Sequence, residues 1–452
     1  MDHTKFSEAE WEACIKVLTA LKDSPFDNPD NNTFSGLIAK INKNAKKKNR
    51  KASYIQKRNY DLNLKLGSHI AQQALLGLSN YSEMLPQQND FTRVNIPVNC
   101  YCCNCSYTKI HSFYNRLCPE CATENYARRF VSVDLKGRNV LLTGGRVKVG
   151  FSTALKILKN GANLIVTTRF PASALELFRQ EQDYPEWKDR LWVYGLDLRN
   201  LRAINDFISF YQAHFNKLDI LINNAAQTIQ YNNDYYRPLI AKEQSLIGRN
   251  NQYPQLVFNQ TPVTEDLGLL QSSEHTYTDM ALTRFGQPVD KREHTSWNSL
   301  LEEVSLFELL EVNLINQIAP YYLIKALKPM FEASDCKEKF IINVSSSEGI
   351  FSYGNKTIFH PHTNMTKAAL NMLTLTSARD FASQQIYMSA VDVGWISTGA
   401  KEELRKRQFE KGYIPPLDSV DGAARILHPI AEGINGIPIF GKLLKNYQVH
   451  PW

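Results

Sequence analysis

From about Asp134 onward, short apolar segments alternate with longer amphipathic ones, and no other feature constrains the fold as strongly. Candidate strands are Val140–Leu142, Leu164–Val166, Trp192–Leu196, Ile220–Ile222, Phe340–Ile342 and Tyr387–Val391. Strand and helix patterns in this order predict an α/β fold with a parallel, doubly wound sheet of Rossmann type. Residues 228–300 break the rhythm. They are polar, aromatic-rich and weakly periodic, and read as an insertion that is either a substrate lid or a long ordered loop. The sequence shows no internal repeat.

The segments before Asp134 have a different character. Residues 1–95 read as helical. Ser7 and Glu10 form a capping-box pattern, and Trp11, Ile15, Leu18 and Leu21 mark one helical face. DSPFDNPDNN is a turn-rich break, and SEMLPQQND reads as a linker. Residues 96–130 are a cysteine-rich module, and residues 131–452 form the Rossmann domain with its insertion.

Six of the eight cysteines fall between Cys100 and Cys121. A secreted disulfide framework spreads its cysteines, whereas a metal site gathers them. Cys102-x2-Cys105 is followed by Cys118-x2-Cys121, and two such turns can close a tetrahedron of thiolates around zinc. Cys100 and Cys103 could instead supply the first half, and His111 could substitute as a ligand. The pattern contains no acid–base group, so the expected zinc is structural.

The net charge of +7 is local. Residues 40–58 hold nine Lys/Arg and no acid, and the remainder of the chain is close to neutral. The tract reads first as a solvated helix face. A nucleic-acid or acidic partner there is the competing reading. No apolar run reaches membrane-spanning length, and MDHTKFSEAEW has no signal-peptide pattern. The expectation is a cytoplasmic protein without membrane contact, with the nucleus as the alternative compartment.

The first strand runs into TGGRVKVG, which places Thr143, Gly144, Gly145, Arg146, Lys148 and Gly150 at a strand-to-helix turn. Glycine lets backbone approach a pyrophosphate, and a helix N-terminus offers unpaired N–H groups to it. The next strand ends in TTRF. An acid there would select NAD, but Thr168 and Arg169 stand in its place. With Arg146 and Lys148 close in sequence, a 2′-phosphate is welcomed, so NADP is favoured over NAD.

By these residues the chain resembles the short-chain dehydrogenase/reductase superfamily, and the matches continue in order over about 300 residues. The resemblance implies that Asp197 in GLDLR lies near the adenine ring, and that Asn224 and Ala225 in LINNAA form the turn that supports the central sheet. It implies that Asn313 in EVNLIN holds a water of the proton relay, and that Ser346 in INVSSSEG bonds the substrate carbonyl. Lys367 in TKAALNM would bind the nicotinamide ribose, and Gly394 and Thr398 in VDVGWIST would hold the carboxamide. TGGRVKVG, LDILINNAAQT, HPHTNMTKAALNM and GKLLKNYQVHPW further resemble one branch of the superfamily that carries LCPECATENYARR before the first strand.

Two positions depart from the family pattern. Lys148 replaces the middle glycine of the phosphate loop. Thr363 replaces the tyrosine that stands one helical turn before the lysine and donates the proton. A threonine hydroxyl is too weak an acid for that task near neutral pH. His360, His362 and Tyr353 are the nearby candidates, and imidazole titrates in the right range. For both histidines, helix capping or loop packing is the competing reading.

Three functions follow. The first is an NADP-dependent oxidoreductase acting on a small carbonyl or alcohol, with an altered proton donor and an expected homo-oligomeric state. The second is a catalytically inactive NADP-binding scaffold. The third is a nucleic-acid-associated protein. Loss of the tyrosine favours the scaffold; retention of Ser346, Lys367 and Asn313 favours the enzyme.

Overall fold

The computed structural model describes residues 5–23, 31–76, 90–231, 233–250, 253, 255–258, 292, 294–352, 354, 356–397 and 402–452. The chain divides into two units, residues 1–63 with 94–96, and residues 64–93 with 97–452.

The first unit contains helix α1 (Glu8–Leu21) and most of helix α2 (Asn31–Gly67). Ser7 caps α1 as its sequence predicts. Its Oγ accepts from Glu10 N at 3.3 Å, and its own N–H donates to the Glu10 carboxylate at 2.7 Å. Every residue of α2 from Ser35 to Tyr60 is exposed, so the basic tract forms an exposed helix. Near its end, the Asp61 carboxylate accepts from Asn95 N and Ile96 N, each at 2.8 Å.

The second unit begins with helix α3 (His69–Leu76) and the cysteine module. There β1 (Phe91–Asn99) pairs antiparallel with β2 (Ser106–His111), and α4 (Pro119–Arg128) follows, with Pro119 in its first turn. The remaining elements in order are β3 (Asn139–Thr143), α5 (Lys148–Lys159), β4 (Asn163–Thr168), α6 (Pro171–Arg179), α7 (Tyr184–Trp187), β5 (Leu191–Gly195), α8 (Leu201–His214), β6 (Ile220–Asn223), α9 (Asn233–Asn250), β7 (Leu256–Val257), α10 (Leu306–Asn313), α11 (Ala319–Glu332), β8 (Lys339–Ser345), α12 (Pro361–Ala382), β9 (Ile386–Asp392), α13 (Glu402–Glu410), α14 (Ser419–Ile434), β10 (Leu443–Lys445) and β11 (Gln448–His450).

The sheet order is β11-β10-β9-β8-β6-β3-β4-β5-β7. All neighbours are parallel except β10 and β11. Every residue of β8 is buried, as expected of a central strand covered on both faces. One face packs Leu142, Val166 and Ile342 against α5 and α14 through Phe151, Leu158 and Ile430. The other packs Leu141, Leu221 and Ile341 against α8 and α11 through Phe207 and Leu327. The strand order reverses between β3 and β6, which opens a crevice at the carboxyl ends of these strands, where ligands bind in open α/β sheets.

The described part of the 228–300 insertion adds a helix, α9, beside α6 and a short strand, β7, at the sheet edge. β7 extends the sheet in parallel with β5, Val193 opposite Leu256. The Glu243 carboxylate of α9 accepts from Ala172 N at 2.6 Å and Ser173 N at 2.8 Å, so it satisfies the N-terminus of α6.

Candidate active site

The loop after β3 is shaped by contacts that only glycine permits. Gly144 has φ +71°, and a Cβ there would lie 2.9 Å from Ala225 Cα. A Cβ on Gly150 would lie 2.0 Å from Gly144 O. Gly145 packs inward, its missing Cβ directed at Val166, and does not border the cleft. Asn224 locks the loop in place: its Nδ2 donates to Thr143 O and Gly144 O, both at 3.0 Å. Thr143 Oγ1 accepts from Asn224 N at 3.1 Å and Ala225 N at 3.0 Å. The loop thus presents its backbone and the start of α5 to a cleft of about 480 Å³. Lys148, in the position of the missing glycine, adopts φ +53°. The backbone keeps the left-handed turn although the residue is not glycine, a strain of about 1–2 kcal/mol.

Two guanidinium groups border the cleft beyond β4. Arg146 is 5% exposed and lies over the Phe170 ring at 5.3 Å. Burial, reinforced by the charge of Arg169, lowers it to about 10. Arg169 stacks over Tyr236 at 4.6 Å and donates to its Oη at 3.2 Å. Asp197 also lines the cleft. Although burial opposes ionisation, Arg199 holds this carboxyl below its usual value through a 2.6 Å ion pair. Arg199 in turn reaches Glu311 at 2.8 Å, and Glu311 accepts from Gln227 Nε2 at 2.7 Å.

Ser346 follows β8 at the carboxyl end of the sheet, its side chain makes no capping hydrogen bond, and neither it nor Lys367 is among the residues that line the cleft. Lys367 of α12 is 7% exposed, and its Nζ donates to Val344 O at 2.8 Å. Burial lowers it to about 8, against the opposing fields of Glu348 and Asp392. The close packing of α12 here depends on Gly349, whose missing Cβ would lie 2.7 Å from the Lys367 carbonyl carbon.

Asn313 differs from expectation. Its Nδ2 donates to Leu309 O at 2.6 Å and its Oδ1 accepts from Gln317, so the side chain is turned back into its own helix. A π-helical turn over residues 314–318 follows it and rotates the next asparagine inward. Asn316, 1% exposed, donates to Gln227 O at 3.0 Å and Thr366 Oγ1 at 3.1 Å, and accepts from Gln227 N at 2.8 Å. The π-turn shifts the helical phase, which sequence spacing alone does not reveal.

The two histidines separate. His360, with φ +45°, caps α12 through its backbone, and its carbonyl accepts from Thr363 N at 3.1 Å. Its ring stacks on Trp297, which borders the cleft. Burial lowers its imidazole from the ordinary value, with Glu348 acting in the opposite sense. His362 is 1% exposed and faces Glu308 at 3.3 Å. Thr363 Oγ1 is buried without a hydrogen-bond partner. Thr398 and Tyr353 lie outside the described residues, while Gly394, φ +84°, donates its N–H to Asp392 at 2.8 Å.

The cysteine module assembles a different first pair from Cys102 and Cys105. The sulfurs of Cys100, Cys103, Cys118 and Cys121 all lie within 4.8 Å of one another. Cys100 O accepts from Asn104 N at 3.0 Å, and Asn104 takes φ +59°. That tight turn brings Cys103 back beside Cys100 and leaves Cys105 exposed. The 102 side chain lies beside Cys100 and Cys121 but outside the tetrad. His111 Nδ1 accepts from Phe113 N at 2.8 Å and joins no cysteine cluster.

The switch-point crevice and the glycine-shaped phosphate loop are those of a dinucleotide-binding Rossmann domain. Residues 138–238 match the family model for short chain dehydrogenase, and residues 295–414 match that for Enoyl-(Acyl carrier protein) reductase. An uncharacterised protein of Acanthamoeba polyphaga mimivirus is 33% identical over 348 residues, 73% of this chain and 71% of that protein. The (+)-neomenthol dehydrogenase of Arabidopsis thaliana is 23% identical over 65% of this chain and 79% of its own. A short-chain dehydrogenase/reductase of unknown function from Caenorhabditis elegans, solved with cofactor, aligns with a TM-score of 0.47 at 18% identity, over 68% of this chain and 93% of that one. The chain belongs to the short-chain dehydrogenase/reductase superfamily and is an NAD(P)-dependent oxidoreductase. Among the described residues, no helix is long and apolar enough to cross a membrane.

Proposed function

We propose that this protein transfers hydride between NADP and a small carbonyl or alcohol substrate, with His360 in place of the missing tyrosine. The observation that carries the reading is the cleft itself, which runs from the Gly144–Gly150 loop past Arg146, Arg169 and Asp197 to Trp297. NADP is supported over NAD by two guanidiniums at the cleft: buried Arg146, lowered by burial and by the repulsion of Arg169, and Arg169, whose charge burial opposes but which Tyr236 and Asp197 raise. A 2′-phosphate between them relieves that repulsion and forms charge-assisted hydrogen bonds.

When bound, the cofactor supplies the hydride. The chain supplies the remainder. Ser346 Oγ bonds the substrate oxygen and polarises it. Lys367 Nζ holds the ribose end. In reduction, protonated His360 gives its ring proton to the forming alkoxide; in oxidation, the neutral ring takes the proton back. The stacking of His360 on Trp297 at the cleft and the field of Glu348 support this role; His362, paired with Glu308, is the weaker candidate. The four clustered thiols support a structural zinc in the module, because thiolates of this number and spacing are its preferred donors.

The test is NADPH consumption with aldehydes, ketones and quinones, using the unmutated protein beside Ser346→Ala and His360→Ala. Carbonyl-dependent turnover lost in both variants supports the reading. Turnover unaffected by His360→Ala removes His360 from it.

A further inference from the structure

The cysteine module meets the Rossmann domain at the loop that follows β9. Tyr101 stands between Cys100 and Cys102 on the cysteine turn, and its Oη accepts a hydrogen bond from Trp395 N at 2.7 Å. Its own backbone is fixed, with Tyr101 N donating to Arg116 O at 2.9 Å. The Arg116 guanidinium lies over the Trp395 ring at 5.4 Å. Gly394 makes room for this contact: a Cβ there would lie 2.6 Å from Leu417 and 3.5 Å from Tyr101 Oη. Ile396 packs into the same apolar cluster as Cys100, Cys118 and Leu417. Two residues after the Tyr101 contact, Ser397 borders the cofactor cleft.

The four sulfurs have the spacing a metal needs. Zinc–sulfur bonds near 2.3 Å place the sulfurs of a tetrahedron about 3.8 Å apart. Cys103 Sγ and Cys118 Sγ are 3.7 Å apart, and all four fall within 4.8 Å. The backbone between Cys100 and Cys103 is one turn, so ligation at both ends fixes the direction in which Tyr101 projects.

We infer that Cys100, Cys103, Cys118 and Cys121 hold one zinc ion whose purpose is to aim Tyr101, and that Tyr101 is a positioning residue which clamps residues 393–397 at the rim of the cofactor cleft. The module is then a brace for the cofactor site. It does not touch the reacting atoms. The consequence for cofactor binding rests on the function proposed above; the metal site and the clamp do not.

The experiment uses the full chain and three readouts: zinc per chain by elemental analysis, hydrogen exchange of the peptide covering 393–397 in cofactor-free protein, and the Kd for NADPH. Tyr101→Phe removes one hydroxyl. It keeps one zinc, speeds exchange at Trp395, and weakens NADPH about fivefold, the worth of one backbone hydrogen bond. Cys100→Ser and Cys103→Ser lose the zinc and speed exchange in the same peptide. Cys105→Ser changes neither. Zinc retained in Cys100→Ser but lost in Cys105→Ser overturns the ligand assignment. Unchanged exchange at 393–397 in Tyr101→Phe, with zinc retained, overturns the clamp. If NADPH fails to bind the unmutated protein, the cofactor reading fails, and the first two readouts still decide the metal site and the clamp.

Discussion

The His360 imidazole lies face to face with the Trp297 indole, ring centroids 4.5 Å apart and planes 21° apart. This pairing places a titratable ring beside the cleft at the N-cap of α12, three residues before Thr363, where the family carries its tyrosine. Burial lowers the His360 imidazole below its ordinary value. The protonated ring needed for carbonyl reduction is therefore populated mainly on the acid side of pH 6.5, the ordinary value. Reduction should fall as pH rises through that lowered value, while alcohol oxidation, which needs the neutral ring, should hold to lower pH. His360→Ala should remove that inflection and slow turnover by about 10²-fold or more. His362→Ala should leave the inflection in place. A falling limb near 8 that survives His360→Ala would assign the proton to Lys367 instead.

Arg169 and Arg146 should make cofactor choice a matter of charge. Arg169→Asp should weaken NADPH by about tenfold or more, since it removes a charge-assisted bond worth about 1.5–3 kcal/mol and adds repulsion. NADH should change far less. Titration calorimetry on the unmutated protein and the variant checks this, and equal affinity of the unmutated protein for both cofactors contradicts it.

Arg129 joins the module to α14 with a buried fork, 2.7 Å to Asp418 and 2.9 Å to Asp421, and Asp421 also accepts from Tyr114 Oη at 2.7 Å. Arg129→Ala leaves Asp421 buried and Asp418 half-buried without their cation and should cost about 3 kcal/mol. Denaturant unfolding that shows a loss below about 1 kcal/mol would mean that the carboxylates find other partners.

Lys148 holds a left-handed backbone, so Lys148→Gly should raise stability by about 1 kcal/mol, the reverse of the usual effect of glycine at a helix start. Lys148→Ala should give no such gain, because alanine meets the same steric penalty. Thermal unfolding of the two variants compares them directly.

Much of this architecture is legible in the sequence, because a buried parallel strand must be an apolar run and a phosphate loop must be glycine-rich. Val140–Leu142 grows by one residue at each end into Asn139–Thr143, and Phe340–Ile342 lengthens to Lys339–Ser345. β7 is illegible because two residues carry no period, and its place beside β5 is a matter of tertiary packing. Asn316 is hidden by the π-turn, which breaks the phase that helical spacing assumes. Cys100 and Cys103 have the same C-x2-C spacing as Cys102 and Cys105, so spacing could not choose between them. The choice is made by the left-handed Asn104, a backbone state visible only in three dimensions.

Hydride transfer to a carbonyl is tested by NADPH oxidation followed at steady state with a panel of aldehydes, ketones and quinones. Carbonyl-dependent turnover is expected, lowered strongly by Ser346→Ala and by Lys367→Ala and almost unchanged by Thr363→Ala, because the threonine hydroxyl cannot act as the acid. Tight NADPH binding without turnover of any carbonyl, together with activity created by Thr363→Tyr, would contradict it and mark the protein as a cofactor-binding scaffold.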